Sequence, residues 1–286
     1  MYRPSFSTLA CPDWTLERVA DAGAEYGFLG VELRTFGPGS SHLASDPVLT
    51  DEGKTRAIFS QRGISIESIA TSSRFDQTVT PPVIGFALGG FEAPVRDVKL
   101  HIDLADRLHA PLVRVFAFEP AGAESPKRAM GRIVKRLKLA VDAARHSGAR
   151  IALENGGGWP RAEQILEIVN EVSSPLLGVS YSMAVGARAG DDAPGALAAL
   201  GDRLLLARMK DHRDGAPCAL GEGEAPCSEF AQELARSGWS GPLVFEWDRM
   251  WMPELASAER VLPAAAERMY EWGAVGSPTH KAVAAV

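Results

Sequence analysis

Cysteine is scarce in this chain of 286 residues: there are three, Cys11, Cys218 and Cys227. Three scattered thiols cannot form a disulfide framework, which points to a reducing interior. Cys218 and Cys227 have no partner Cys or His at ligand spacing, so they do not read as a zinc site. Positive charge is also in deficit, with 30 Lys+Arg against 36 Asp+Glu and a net charge of −6. That balance is a poor footprint for nucleic acid or an anionic membrane. No apolar run reaches the roughly eighteen residues that a membrane span needs. Met1 to Ala10 has neither a basic stretch nor an apolar core, so no signal peptide is expected. The chain also lacks a glycine-rich phosphate loop after its first strand-like run, since Leu9-Ala10-Cys11-Pro12-Asp13 is unlike one. What is present, 46% hydrophobic and 23% charged residues, is ordinary globular composition and excludes wholesale disorder and fibrous repeats. A soluble, cytoplasmic protein is the expectation.

Short β-type runs alternate with longer helical patterns from end to end. Predicted strands cover Ser5 to Leu9, Val31 to Leu33, Ile64 to Ile69, Leu112 to Phe116, Arg150 to Leu153, Leu176 to Ser180, Leu204 to Met209 and Leu243 to Phe245. Helical periodicity follows each, for example Leu16, Val19, Ala20 and Ala24 on one face, and Leu100, Leu104 and Leu108 on another. Arg74 to Gly90 is rich in Pro, Thr and Gly and reads as a long loop. Eight strand–helix units favour a closed parallel sheet. The fold class is therefore α/β, a single (β/α)8 TIM barrel with a parallel eight-stranded core over residues 1–272. Residues 273–286 read as a disordered C-terminal tail.

In such barrels the site lies at the carboxyl ends of the strands. The polar residues there are Glu32 and Arg34, Ser72 and Ser73, Arg114, Glu154 and Asn155, Ser182, Arg208, Lys210 and Asp211, and Glu246. Because side chains alternate along a strand, Glu154 shares a face with Ala152, and Arg208 with Leu204 and Leu206. Glu154 and Glu246 then face one mouth, with Arg208 between them in strand order. Glu32 and Arg34 pair with each other or with neighbouring strand ends as readily as they bind a ligand. His212 lies in a polar run read as a solvent-exposed loop, and His101, His109 and His146 read as surface residues. The basic positions Lys127, Arg128, Arg132, Lys135, Arg136 and Lys138 lie opposite Ile133, Val134, Leu137 and Val141, the pattern of a solvated helix face. Trp247 and Trp251 either wall a pocket or pack beneath the last helix.

Several motifs, in order, resemble one family. They are Ser7-Thr8-Leu9 with Cys11-Pro12-Asp13-Trp14, Gly30-Val31-Glu32-Leu33-Arg34, Leu153-Glu154-Asn155 and Met209-Lys210-Asp211. Leu220-Gly221-Glu222-Gly223-Glu224, Gly241-Pro242-Leu243-Val244-Phe245-Glu246-Trp247 and Trp251-Met252-Pro253-Glu254-Leu255 follow. Together they resemble the xylose-isomerase-like barrels, the sugar isomerase/epimerase and endonuclease-IV-like superfamily, over residues 1 to about 272. The resemblance implies a divalent metal held by a Glu, an Asp, a His and a second Glu. Glu154 and Glu246 match the glutamates, but the Asp position holds Ser182 and the His position Arg208. A substrate-side His falls on Val185, and further His expected near Gly156 and at Met252 are missing. Two carboxylates and a hydroxyl are a poor set for a hard cation, and Arg208 keeps its charge at any accessible pH. The expectation is that no metal or other cofactor is held and that Arg208 supplies the metal's charge, forking toward Glu154, Glu246 or both.

The resemblance further implies proton transfer beside a carbonyl by Glu154 and Glu246, and in place of a metal Arg208 or Lys210 would stabilise the developing enediolate, which makes these four the catalytic set. Substrate contacts fall to Glu32, Arg34, Arg114, Ser182, Trp247 and Trp251, with Arg34 and Arg114 on any anionic group. An isomerase, epimerase or lyase for a small sugar-like or carbonyl substrate is the leading reading. A catalytically inert barrel serving as a ligand-binding or partner subunit is the alternative. A third keeps a metal through Asp211, His212 or Asp248. A homodimer is the association that the family implies, and neither nucleic acid nor membrane is an expected partner.

Overall fold

A computed structural model describes residues 1–37, 39–79, 81, 83, 87–120, 122 and 124–275. Local chemistry sets the element boundaries. Thr15 accepts a hydrogen bond from the Arg18 N–H at the start of α1 (Leu16–Tyr26), and Gly27 ends that helix in the left-handed region at φ 88°, where only glycine is free of a steric penalty. Asp51 caps α2 (Glu52–Ser60) in the same way as Thr15, through the Lys54 N–H. The longer helices α3 (Ala93–Leu108) and α4 (Pro126–Ala144) both carry proline in the first turn, where its missing N–H costs nothing. Then come α5 (Ala162–Val172), α6 (Met183–Arg188), α7 (Ala193–Leu200), α8 (Cys227–Arg236) and α9 (Ala258–Glu271). None of the described helices is long and apolar enough to cross a membrane.

Strands β1 (Arg3–Ser7), β2 (Gly30–Arg34), β3 (Ser65–Arg74), β4 (Leu112–Phe116), β5 (Arg150–Glu154), β6 (Leu177–Ser182), β7 (Leu204–Met209) and β10 (Pro242–Phe245) close into one barrel. Every neighbouring pair is parallel, and β1 joins β10 on one side and β2 on the other. This is the eight-stranded (β/α)8 TIM barrel that the alternation predicts. The predicted strands all recur, Leu112–Phe116 and Leu204–Met209 with the predicted ends and the others with shifted ones. The first gives way to a short helical turn at Thr8–Ala10, and β3 runs on to Arg74, beyond the predicted Ile69. The run 212–215, read as a loop, is part of a small antiparallel hairpin of β8 (Asp211–Arg213) and β9 (Ala216–Cys218).

Two apolar layers hold the barrel. The larger lies between strands and helices and includes Phe6, Val113, Ile151, Val179 and Phe245 packed against Leu16, Ile102, Leu137, Ile165, Phe230 and Leu262. The smaller, Leu112, Ala152, Leu205, Leu206 and Val244, plugs the barrel's interior. A register shift between Val179 and Ser180 places Leu206 opposite Ser180 while Leu204 stays opposite Val179. The extra residue on β7 breaks strict alternation. Leu204 therefore packs in the outer layer rather than sharing the inner face with Leu206 and Arg208.

Three other sequence expectations are corrected. His101 is fully buried, with Nδ1 2.9 Å from the Asp97 carbonyl and Nε2 3.0 Å from that of Ser40. Arg136 is also buried and donates to the carbonyls of Phe91, Phe75 and Gln77. It ties α4 to the segment after β3, while Lys127, Arg128, Lys135 and Lys138 face solvent. A guanidinium can saturate several backbone carbonyls at once, so its helical position alone did not decide its burial. His212 is half-buried rather than exposed: it stands in the hairpin strand β8, and its carbonyl accepts the Glu224 N–H at 2.9 Å. Of the expected tail, residues 276–286 lie outside the described residues, whereas Val275 donates its N–H to the Tyr2 carbonyl at 3.0 Å.

Packing is close where β6 meets β7. A Cβ added at Gly178 would lie 2.5 Å from Leu205 Cγ and 2.6 Å from the Arg203 carbonyl oxygen. Gly178→Ala should therefore lower unfolding stability by about 1–3 kcal/mol, the usual cost of overpacking, measured as a fall in the urea midpoint. An unchanged midpoint would show that the bulge relaxes freely.

Candidate functional site

Inward-facing positions at the carboxyl ends of the strands supply the site. On β2 the inward residue is Glu32, paired in register with Ser7 of β1 and Ser68 of β3. Arg114 stands on β4 and Glu154 ends β5. Arg208 of β7 is in register with Ser182 on one side and Val244 on the other, and Glu246 follows β10.

Arg208 is 1% exposed and reaches across the barrel interior. Its Nη1 donates to both oxygens of Glu32, at 2.9 and 2.8 Å. Nε lies 3.2 Å from Glu154 Oε2, and Nη2 donates to Glu246 Oε2. One guanidinium thus engages three carboxylates through all three of its nitrogens. Arg114, also buried, donates from Nη1 to Glu154 Oε2 at 2.6 Å and sits 3.4 Å from Glu32 Oε2. Ser68 completes the Glu32 shell with a 3.0 Å bond to Oε2. Lys210 donates to Glu246 Oε1 at 2.7 Å and to Asp248 Oδ2 at 3.4 Å.

The sequence brought Glu154, Glu246 and Arg208 to one place, and the structure joins them. It also makes Glu32 the carboxylate most completely engaged by Arg208, a pairing for which the sequence offered Arg34 or an unspecified neighbour. Arg114 is taken up by Glu154 and Glu32. Arg34 pairs with no carboxylate among the described residues; it donates instead to the Thr71 carbonyl and the Ser72 hydroxyl. Ser182 is held by Asn155, whose Oδ1 accepts from the Ser182 N–H at 2.7 Å and whose Nδ2 donates to the Ser182 carbonyl at 3.2 Å. Trp247 is buried, with Nε1 donating to the Ala256 carbonyl at 2.9 Å. Trp251 is 55% exposed. Sequence reasoning did not foresee Ser68 or the Lys210–Asp248 pair; the cue for Ser68 was its place on the same pleat face as Ala70, one strand from Glu32.

Among the described residues no group of three or more His, Cys, Asp or Glu is placed to hold a metal ion. Asp211, a substitute ligand in the third reading, accepts the backbone N–H groups of His212, Ala225, Gly221 and Gly223 on its two oxygens. That arrangement anchors the hairpin and the loop after it.

Charge in this cluster is balanced when every group is ionised: Glu32, Glu154, Glu246 and Asp248 against Arg34, Arg114, Arg208 and Lys210. Burial works to raise the Glu32 pKa, but the charges of Arg208 and Arg114 and the bonds from Arg208 and Ser68 outweigh it and hold it at about 2. Glu154 differs from the other two glutamates. Its Oε2 is shared by two guanidinium groups, while Oε1 has no partner among the described residues and the side chain stays 11% exposed. Glu154 Oε1 and Asp248 Oδ1 are the carboxylate oxygens of the cluster without a partner among the described residues, and Lys210, with its side chain 25% exposed, is the least buried cation in an ion pair of the cluster.

A folded-state pKa held below the unfolded value of about 4.3 adds stability above that value and forfeits it as pH falls toward the folded pKa. Glu32 should thus cause a loss on the order of 3 kcal/mol between about pH 4.5 and 2. Urea unfolding across that window, in the natural chain and in Glu32→Gln, measures it; equal slopes in the two would remove Glu32 from the account.

Comparison with known proteins sets this geometry in context. A model of the xylose isomerase-like TIM barrel matches residues 20–272. A comparison with curated proteins by sequence finds no match. Among solved structures, the IolI protein with a bound zinc atom superposes with a TM-score of 0.76 at 17% identity, over 94% of this chain and 97% of that one. The probable 3-DHS dehydratase AsbF of Bacillus anthracis, involved in petrobactin synthesis, gives 0.75 at 16% identity, over 94% and 99%. The D-allulose 3-epimerase of Methylomonas sp. gives 0.73 at 17% identity, over 95% and 98%. At such identities these likenesses speak for the architecture, and it is the family model, running from α1 to the end of α9, that places the chain among the xylose isomerase-like TIM barrels.

Proposed function

We propose that this barrel is an isomerase, epimerase or lyase that moves a proton beside the carbonyl of a small polyhydroxylated or carbonyl substrate, with the fixed charge of Arg208 in place of a divalent metal. The family implies a metal, and the residues present do not fit one. Arg208 stands at the expected imidazole position, with Nε and Nη2 engaged by Glu154 and Glu246, the glutamates that would be ligands, and Nη1 by Glu32. A metal entering there would meet a fixed positive charge and have to displace buried ion pairs, against both Coulomb repulsion and desolvation. The division of labour between Glu154 and Lys210 carries this reading.

The chemistry follows from which groups are reachable. Substrate settling at the mouth meets Glu154 Oε1 and the Lys210 ammonium. Glu154 takes the proton from the carbon next to the carbonyl, and the electron pair moves onto the carbonyl oxygen. Lys210 donates a hydrogen bond to that oxygen and stabilises the developing enediolate. A solvent-derived proton added to the same carbon from the opposite face, with Glu154 releasing its own to solvent, gives the epimer. Return of the proton by Glu154 to the former carbonyl carbon, with the neighbouring hydroxyl proton passing to the former carbonyl oxygen, gives the isomer. Expulsion of a β-hydroxyl, protonated to water as it leaves, gives dehydration. The epimerases and the dehydratase among the structural neighbours span outcomes of this one intermediate, which supports the reading. Glu246, with one oxygen on Arg208 and the other on Lys210, orients the lysine. Three unpaired cysteines suit a reducing, cytoplasmic setting.

The rival is a barrel that binds a ligand without turning it over, and the complete engagement of Glu32 and Glu246 favours it. Screening ketoses, inososes and keto acids for product formation separates the two. On the enzyme reading, Glu154→Gln lowers kcat by about 10²–10⁴-fold while the dissociation constant of the same compound, measured by calorimetry, changes little. Binding of a panel member with no product from the natural chain would establish the rival.

A further inference from the structure

Arg34 occupies an unusual place in the cluster. It is 4% exposed, yet among the described residues it is the cation of the mouth that has no carboxylate within ion-pair distance. Arg114 and Arg208 each hold two or more carboxylates, and Lys210 holds Glu246 and Asp248. A guanidinium has five N–H donors, and the described bonds of Arg34 go from Nη1 to the Thr71 carbonyl and from Nη2 to the Ser72 hydroxyl. Its Nε is buried without a partner. The ring of Trp251 lies over the group, with its centroid 5.5 Å from Cζ, and is itself open to solvent.

Burial, and then repulsion from Arg114, push the Arg34 pKa down to about 10, against an upward pull from Glu32 and Glu154, neither of which reaches ion-pair distance. An arginine remains charged at neutral pH even so. An unpaired buried charge is costly, and a carboxylate relieves that cost by accepting the Nε–H and a free Nη–H as a two-point fork.

We infer that Arg34, with the Ser72 hydroxyl beside it and Trp251 as its outer wall, is the subsite for a substrate carboxylate, so that the compound handled at Glu154 and Lys210 is a hydroxy or keto acid rather than a neutral sugar. The inference rests on the mouth being a substrate site and does not require turnover. It also distinguishes the two arginines that the sequence had grouped together: Arg114 is neutralised within the protein, and Arg34 is left for the ligand.

The test is carboxylate-dependent thermal stabilisation of the full chain, with glycolate, pyruvate, gluconate and quinate as probes. Sodium chloride at equal ionic strength and the neutral polyol sorbitol serve as controls. At least one carboxylate should raise the unfolding midpoint above both controls, and the rise should vanish in Arg34→Gln and shrink in Ser72→Ala. Because Arg34 is in no ion pair among the described residues, Arg34→Gln should fold, with a midpoint in chloride close to that of the natural chain; if it does not, Ser72→Ala and a competition series against chloride carry the test. A midpoint that no carboxylate raises above chloride, or a rise that persists in Arg34→Gln, overturns the inference. Stabilisation lost in Arg34→Gln, with no product formed by any chain, would keep the subsite and sink the catalytic reading alone.

Discussion

The interior of this barrel depends on one side chain, the Arg208 guanidinium, which neutralises three glutamates that would otherwise repel one another in a water-poor space. Glu32, Glu154 and Glu246 come from β2, β5 and the end of β10, so Arg208 also ties distant parts of the strand cycle together. Two facing carboxylates without a cation would force one pKa upward. With Arg208 and Arg114 between them, Glu32 remains ionised at full burial. An arrangement of this kind is not cheap in isolation, because buried ion pairs seldom exceed in stability an apolar core of the same volume. It lies at the carboxyl ends of the strands, with the apolar plug of Leu112, Leu206 and Val244 packed in the same interior.

The fold sets up this arrangement through a local irregularity. The bulge on β7 keeps Leu206 and Arg208 facing inward while it releases Leu204 to the helical layer. Closure of β1 against β10 then brings β2 round to within reach of β7, so that residues 176 apart in sequence share two hydrogen bonds. Asymmetry follows from the same geometry. Glu32 is locked from both sides and Glu246 is held between two cations, while Glu154 keeps one oxygen free at the mouth.

Much of this was legible in the sequence. Alternating strand and helix periods predicted the barrel, because a period of two followed by a period near 3.6, repeated around the chain, has few other ways to bury its apolar faces. Pleat parity placed Glu154, Glu246 and Arg208 on the inside. What the sequence did not disclose depended on closure or on side-chain reach. The bond from Arg208 to Glu32 crosses the barrel, and no local pattern reports which strands face each other across it. His101 and Arg136 looked like surface residues because a helix face with polar residues normally meets water. Loops folded back over both, and their backbone carbonyls provided partners that a helical wheel does not contain. The β8–β9 hairpin was hidden for a related reason: Asp211 gathers the N–H of His212 and three more from the loop beyond the hairpin, a tertiary anchor with no spacing rule.

The account stands or falls on whether a guanidinium or a metal ion neutralises these glutamates. Elemental analysis of protein purified without chelator, repeated after equilibration with Mn, Co, Zn and Mg and alongside Arg208→His, addresses that directly. The account predicts no stoichiometric metal in the natural chain, and uptake only once the imidazole replaces the guanidinium. One equivalent of metal bound by the natural chain, and lost in Glu154→Gln or Glu246→Gln, would contradict it.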